Sequence, residues 1–417
     1  MAFWLQHSPV HMGRKTKFII VPRIVLALLW GFQPSAQGTS AEDIVRLIYK
    51  RLPGDVPTST ELQLGAEDIR AGRFEAVVRR ATSKTGFFRV IKEWASVLTN
   101  VGTDANVSYN EMSAMFVLAA RDGIDARELL TGKWTATYNP ELIQGVAGRV
   151  IEEMYPARTN NKHYAYVETH FSDIGSALQK INQRTATKIK NTDDTFTDDP
   201  SEVPEAEISG ILTSRPAGEE YLSAGTNRRL IRWIMEHLLC TPLSSIRDTR
   251  EPDFRVRHDV AREPGEYNNN CVGCHAKLDS QAGALAYFDF NSNRFRYRSD
   301  RVQNKYLQNA DTSPEVGYNT TDDSWLNVMR DYNNARLGWG SADKEGNGLA
   351  SYAAAIASTE AYPKCLAQTA FKKVCRKEEL DFQDKKTVDG LAQEFVDSGY
   401  NLKELFIQAT VKCMEKL

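Results

Sequence analysis

Five consecutive residues, Cys271-Val272-Gly273-Cys274-His275, have the types and spacing that do chemistry. Two thiols three residues apart can each add to one vinyl group of a porphyrin. An imidazole directly after the second thiol then lands under the iron. The pattern reads as covalent attachment of one haem c, with Cys271 and Cys274 anchoring the ring and His275 as the proximal iron ligand. With six cysteines and seven histidines in 417 residues, random placement would yield this pattern about 0.001 times per chain. Two other uses of the thiol pair are weighed. Zinc would want two further ligands at close spacing, and no second Cys-x-x-Cys is present. A dithiol redox centre normally sits beside a strand–helix–strand pattern, and none is legible.

The sixth iron position has three candidates in the sequence. His258, in Arg255-Val256-Arg257-His258, lies just upstream of the motif and is the preferred distal ligand. Met235 lies on an apolar helical stripe, and Met329 lies downstream, the usual side for a methionine ligand in small cytochromes. An open sixth position is the fourth reading. The bland readings stay beside these: a surface histidine among arginines for His258, and core packing for either methionine.

The elements that must hold this site are mostly helical. Ile44, Leu47, Ile48 and Leu52 share one face of a helix, and Thr58 with Glu61 three residues later makes a capping box. Phe74, Val77, Val78 and Ala81 continue the helical period, as do Phe87, Val90, Ile91, Trp94 and Val97. No run of alternating strands is visible in 39–190. Leu230, Ile231, Ile234, Met235, Leu238 and Leu239 form a stripe that Pro242 should stop. The haem motif follows a Gly/Asn/Pro-rich loop, and 301–350, rich in Asn, Asp, Gly and Tyr, reads as long ordered loops. Asp343 to Gly348 faintly resembles a calcium loop, but position twelve would be Ala354 where a bidentate Glu is needed, so that reading is rejected. Leu402, Leu405, Phe406, Ala409 and Cys413 form a last amphipathic helix.

The N-terminus carries a different signal. Arg14, Lys15, Lys17 and Arg23 precede the apolar run Ile24–Phe32, and small, turn-prone residues follow to Gly38. This order is that of a cleaved secretory signal peptide, with either Met1 or Met12 as its start, and the run is too short to span a bilayer. A buried N-terminal helix is the alternative. No cysteine precedes Cys240, which argues against a lipid anchor, and no later run is long enough to cross a membrane. The expected location is periplasmic or secreted, where disulfides form. Outside the haem motif four cysteines remain. Cys375 and Cys413 both lie on apolar helix faces and are the favoured pair, leaving Cys240 with Cys365; four buried free thiols are the alternative. The formal net charge of −2 gives no electrostatic case for nucleic acid or an anionic membrane as partner.

The expected fold class is mainly α. The divisions are a signal peptide at 1–38, a helical domain at 39–190, an acidic linker at 191–208, a cytochrome c-like haem domain at 209–300, a loop-rich connection at 301–350 and a helical C-terminal module at 351–417.

The segment Ile208–Pro216 (ISGILTSRP), the Arg228–Leu239 helix, Cys271–His275 with Ala276-Lys277-Leu278-Asp279, and Tyr287-Phe288-Asp289 together resemble the planctomycete-type cytochrome c family. Ser280 stands where that family usually has Pro, and Gly283-Ala284-Leu285-Ala286 replaces its Gly-Phe-Ala stretch. Arg46–Thr58 is similar to the family's N-terminal "R-L-x-G-x-x-P-T" opening, Glu128–Asn139 to its "LL-x-x-x-Y-T-x-x-N" segment, and Cys365 to Cys413 to its helical C-terminal module. The resemblance implies an exported, mostly helical mono-haem cytochrome. The first expectation is therefore periplasmic electron transfer to a redox partner protein that the sequence does not name. A peroxidase-like haem enzyme with an open distal face, and an interaction protein with structural haem, are the competing readings, so enzymatic activity is left open.

Overall fold

Ser40 starts the first helix: its hydroxyl accepts the Asp43 amide, and Ile44 and Ile48 then bury on one face of α1 (Ala41–Arg51). The structure, a computed structural model, describes residues 39–99, 109–139, 162–183, 189–190, 196–197, 202–223, 227–248, 269, 271–291, 294–303, 320–330 and 332–416. The expected signal peptide, Met12, His258 and half of the acidic linker lie outside them. Thr58 and Glu61 close the capping box reciprocally and begin α2 (Ser59–Arg70). After α3 (Phe74–Thr82) and α4 (Phe87–Leu98) comes α5 (Glu111–Asp122), begun by a second reciprocal pair, Asn110 with Ser113. Val97 does not join the buried face of α4; it is 69% exposed, and Ala95 and Leu98 bury instead.

The short α6 (Glu128–Thr131) leads into β1 (Trp134–Tyr138), which pairs antiparallel with β2 (Leu178–Asn182); α7 (Lys162–His170) lies between them in sequence. This sheet corrects the expectation of a strandless 39–190. All five β1 residues are buried, because α5 and α7 pack on it, so the strand lacks the polar–apolar alternation that reveals a half-exposed one. A second small pair, β3 (Ile189–Lys190) and β4 (Phe196–Thr197), follows.

The end of the acidic linker is packed. Lys133 Nζ donates to the carbonyls of Ala206 (2.8 Å) and Ile208 (2.5 Å), and Glu207 accepts the Ala350 amide at 3.2 Å. Gly210 follows with a φ of 48°, and a Cβ there would stand 2.2 Å from the Leu129 carbonyl oxygen. Only glycine satisfies both demands.

The expected apolar stripe forms α8 (Arg228–Trp233), continued by a π turn over Ile234–Leu238, and all six of its named residues are buried. Pro242 is not what ends it. The chain turns at Cys240, whose φ is 48°, and the Thr241 amide donates back to the Met235 carbonyl at 2.7 Å. The Cys-x-x-Cys-His motif opens α9 (Val272–Ala282). Two hairpins follow, β5 (Phe288–Asn291) with β6 (Arg294–Tyr297), and β7 (Ser324–Leu326) with β8 (Glu345–Asn347). The second hairpin lies inside the stretch expected to be loops. The chain ends in α10 (Gly348–Ala357), α11 (Ala361–Cys375), α12 (Phe382–Asp397) and α13 (Leu402–Met414).

The described chain is thus mainly helical, and Thr39–Leu417 forms one compact unit. One hydrophobic core runs through it from Ile44 to Met414 and draws on the expected N-terminal, haem and C-terminal regions alike. Within it Trp94 of α4 joins three other helices, with edge-to-face contacts to Phe116 of α5 (5.4 Å) and Phe406 of α13 (5.1 Å), and a hydrogen bond from Nε1 to Thr369 Oγ1 of α11 (3.1 Å). Cys240 pairs with Cys365 (Cα–Cα 5.3 Å) and Cys375 with Cys413 (5.6 Å). Cys375–Cys413 is the pair favoured from the helix faces, and Cys240–Cys365 the pair that this leaves. Among the described residues no helix is long and apolar enough to cross a membrane.

Asp384, in the first turn of α12, is buried to 1% exposure and binds both Lys377 (2.5 Å) and Lys416 (2.9 Å). Burial alone would raise its pKa, but the two ammonium groups outweigh that and hold it at about 2. A carboxyl depressed in the folded state contributes stability that is present above its unfolded pKa and lost as pH falls through the folded value. Asp384→Asn should therefore cost about 2 kcal/mol at neutral pH. Urea unfolding at stepped pH should show the gap from the unsubstituted chain closing between the ordinary carboxylate pKa and about 2; a gap that persists at the acid end refutes this account of Asp384.

Candidate haem-attachment site

Three donor atoms are gathered by the start of one helix. Cys271 stands at the N-cap of α9, and Cys274 and His275 follow in its first turn. Positions i, i+3 and i+4 share a helical face, so the two thiols and the imidazole lie on the same side. All three residues are half-buried, while Val272 and Gly273 between them are buried. Cys271 and Cys274 carry free thiols, whereas the other four cysteines are bridged. Cys274 Sγ lies 3.9 Å from the Leu243 carbonyl oxygen, and the Asp248 amide donates to the Gly273 carbonyl at 3.1 Å. These contacts hold the segment after Cys240 against the motif. The donor set fits haem c: two unbridged thiols and one imidazole on a single turn.

Two further contacts fix the helix that carries the donors. Asp279, one turn beyond His275, is buried and accepts two hydrogen bonds from the Arg228 guanidinium at the start of α8, that from Nη2 at 2.6 Å. Gln281 Oε1 accepts the hydroxyl of Tyr352, on α10, at 2.8 Å. Burial holds the Tyr352 phenol well above its ordinary pKa, so it stays a donor. Asp279 was legible only through the family resemblance, and Arg228, Gln281 and Tyr352 had no signal of their own, since each bond joins segments distant in sequence.

The three distal candidates fare differently. His258 lies outside the described residues. Met235 and Met329 are both fully buried. The turn holding Met235 packs on α11, whereas Val328–Arg330 packs on α9 itself. The Met329 amide is held by Asn327 Oδ1 at 3.1 Å. Met235 lies on the continuation of α8, which also packs on α9, so each methionine belongs to a segment set against the helix of the motif. His237, which the sequence reading passed over, sits on the same turn as Met235. Burial lowers its pKa, favouring the neutral imidazole that a metal ligand requires. Among the described residues no group of three or more His, Cys, Asp or Glu side chains could hold a metal ion.

No protein-family model matches this chain, and neither the curated proteins nor the solved structures give a match.

Removing the Asp279 charge leaves the Arg228 guanidinium partly buried without its carboxylate. Asp279→Asn should cost about 2–3 kcal/mol, near the lower end for breaking a buried pair because Arg228 keeps some contact with water. The measurement is chemical denaturation of the Asp279→Asn, Arg228→Met and double variants. A double variant no more stable than the sum of the single losses would show that the two side chains are not coupled.

Proposed function

We propose that this chain is an exported mono-haem c-type cytochrome that transfers electrons in the periplasm. The observation that carries the reading is the division of the six cysteines: four are bridged, and the two of the Cys-x-x-Cys-His turn are free and share a face with His275. The resemblance to planctomycete-type cytochromes supports the same class. So does the basic, apolar and small-residue order of 1–38, the form of a cleaved signal peptide.

Cys271 and Cys274 would hold haem c through two thioethers, and His275 Nε2 would be its proximal ligand. Bound there, the group supplies a reversible one-electron couple. The chain's own residues do the rest. The Asp279–Arg228 pair fixes the helix from which His275 projects, and the buried Val272 and Gly273 hold the donor-bearing turn against the protein. His258, Met235 and Met329 remain the candidates for the sixth position. The partner is a redox protein.

Cys271→Ser/Cys274→Ser expressed in a host with haem-attachment machinery should lose covalent haem stain on a denaturing gel. Thiol titration in denaturant without reductant should find two thiols in haem-free chain and none in loaded chain. His275→Ala should change the spin state of the iron or abolish stable loading. Undiminished stain in the double cysteine variant would end the assignment.

Export has its own test. Residues 1–40 fused to a reporter should carry it across the inner membrane, and a fusion starting at Met12 should do so at least as well. Cytoplasmic retention of both fusions would overturn the proposed location.

A further inference from the structure

A cleft of about 890 Å³ opens where the C-terminal ends of α1 and α11 meet the start of α4. Seven of its lining side chains are Lys or Arg and three are carboxylates, Asp55, Glu93 and Glu378. On a chain whose formal net charge is −2, this is a local excess of positive charge. Basic residues at helix C-termini have an ordinary explanation, since they offset the negative end of the helix dipole. That explanation covers Lys50 and Arg51 on α1 and Lys372 and Lys373 on α11. It extends to Arg376, the C-cap of α11, which stands in a left-handed conformation (φ 55°) that favours Gly or Asn; Arg89 lies at the start of α4.

Partners divide the cations into two groups. Lys373 is paired with Glu93 (2.9 Å), Lys377 with Asp384 (2.5 Å), and Arg89 is occupied by backbone carbonyls of Glu168, Phe171 and Ser172. Lys50, Lys372 and Arg376 have no carboxylate partner among the described residues. Arg51 gives one N–H to Cys413 Sγ at 3.3 Å, and its buried Nε has no hydrogen-bond partner. Burial, and then the nearby charge of Arg376, both disfavour the charged form of Arg51. The start of α4 adds to the same field: it has no side-chain cap and no acidic residue in its first turn.

We infer that this cleft binds a small oxyanion of two or more negative charges, phosphorylated or polycarboxylic, held by Arg51, Lys50, Lys372 and Arg376. Its volume lies in the range of small-ligand sites. Guanidinium and ammonium groups without carboxylates are the donors such an anion requires. The anion would neutralise the repulsion between Arg51 and Arg376. The inference does not depend on haem.

The test is calorimetric titration of the full disulfide-bonded protein with pyrophosphate and, separately, with citrate at low ionic strength. Lys372→Gln/Arg376→Gln should weaken binding by roughly tenfold or more. Lys385→Gln on α12 removes one charge outside the cleft and should leave the affinity unchanged. Equal melting temperatures would exclude misfolding, and if the double variant fails to fold, Lys50→Gln replaces it. The better binder names the class. Binding of neither anion overturns the inference, as does an affinity that ignores the cleft substitutions or falls equally with Lys385→Gln.

Discussion

A buried indole has one N–H and must find it an acceptor, and this constraint ties the molecule together. All five tryptophans among the described residues are buried, and each bonds beyond its own element. Trp94 reaches Thr369, Trp134 reaches Glu128, Trp325 reaches Ser351 and Trp339 reaches Thr241. Trp233 donates to the carbonyl of Leu98 at 2.8 Å, one of the four carbonyls that the end of α4 leaves without an intrahelical partner. The large apolar area makes each burial favourable, and the single donor makes it specific in direction. Helices from the two ends of the chain and the segment before the Cys-x-x-Cys-His motif are thereby held in one arrangement.

The candidate site inherits that arrangement. Trp233 positions α8 on α4, and Arg228 at the other end of α8 grips Asp279 on α9. The carboxylate of Asp279 is too buried to stand alone, so its partner fixes the axial position of α9 against α8. Tyr352 then fixes the far end of α9 through Gln281. The donors of the motif lie on the first turn of a helix that is clamped behind them on two sides, which is the support a metal ligand needs to hold its geometry.

What could be read from the sequence was what is local. The capping box of Thr58 and Glu61, the stripe of α8, the last helix and the donor triplet all lie within a few residues of themselves. The helix faces of Cys375 and Cys413 were legible for the same reason. The β1–β2 pairing was not, because its partners are separated by α7 and a doubly covered strand loses its alternation. Val97 was placed on the core side of α4 because hydrophobicity alone does not say which apolar residue of a crowded face turns outward. Arg228–Asp279, Gln281–Tyr352 and the basic cleft are all products of chain reversal, joining segments whose local patterns are unremarkable.

Both disulfides end on α11, one near its start at Cys365 and one at its last residue, Cys375. Their partners lie on opposite sides of it in sequence, at Cys240 and Cys413. A chain entering an oxidising compartment from its N-terminal side presents Cys240 first, then Cys271 and Cys274, and only much later Cys365. During that interval the only thiols available to Cys240 are those of the haem motif. Consuming Cys271 and Cys274 as thioethers early would remove the wrong partners before the right one arrives, so on the proposed reading cofactor attachment also acts as a proofreading step for oxidative folding.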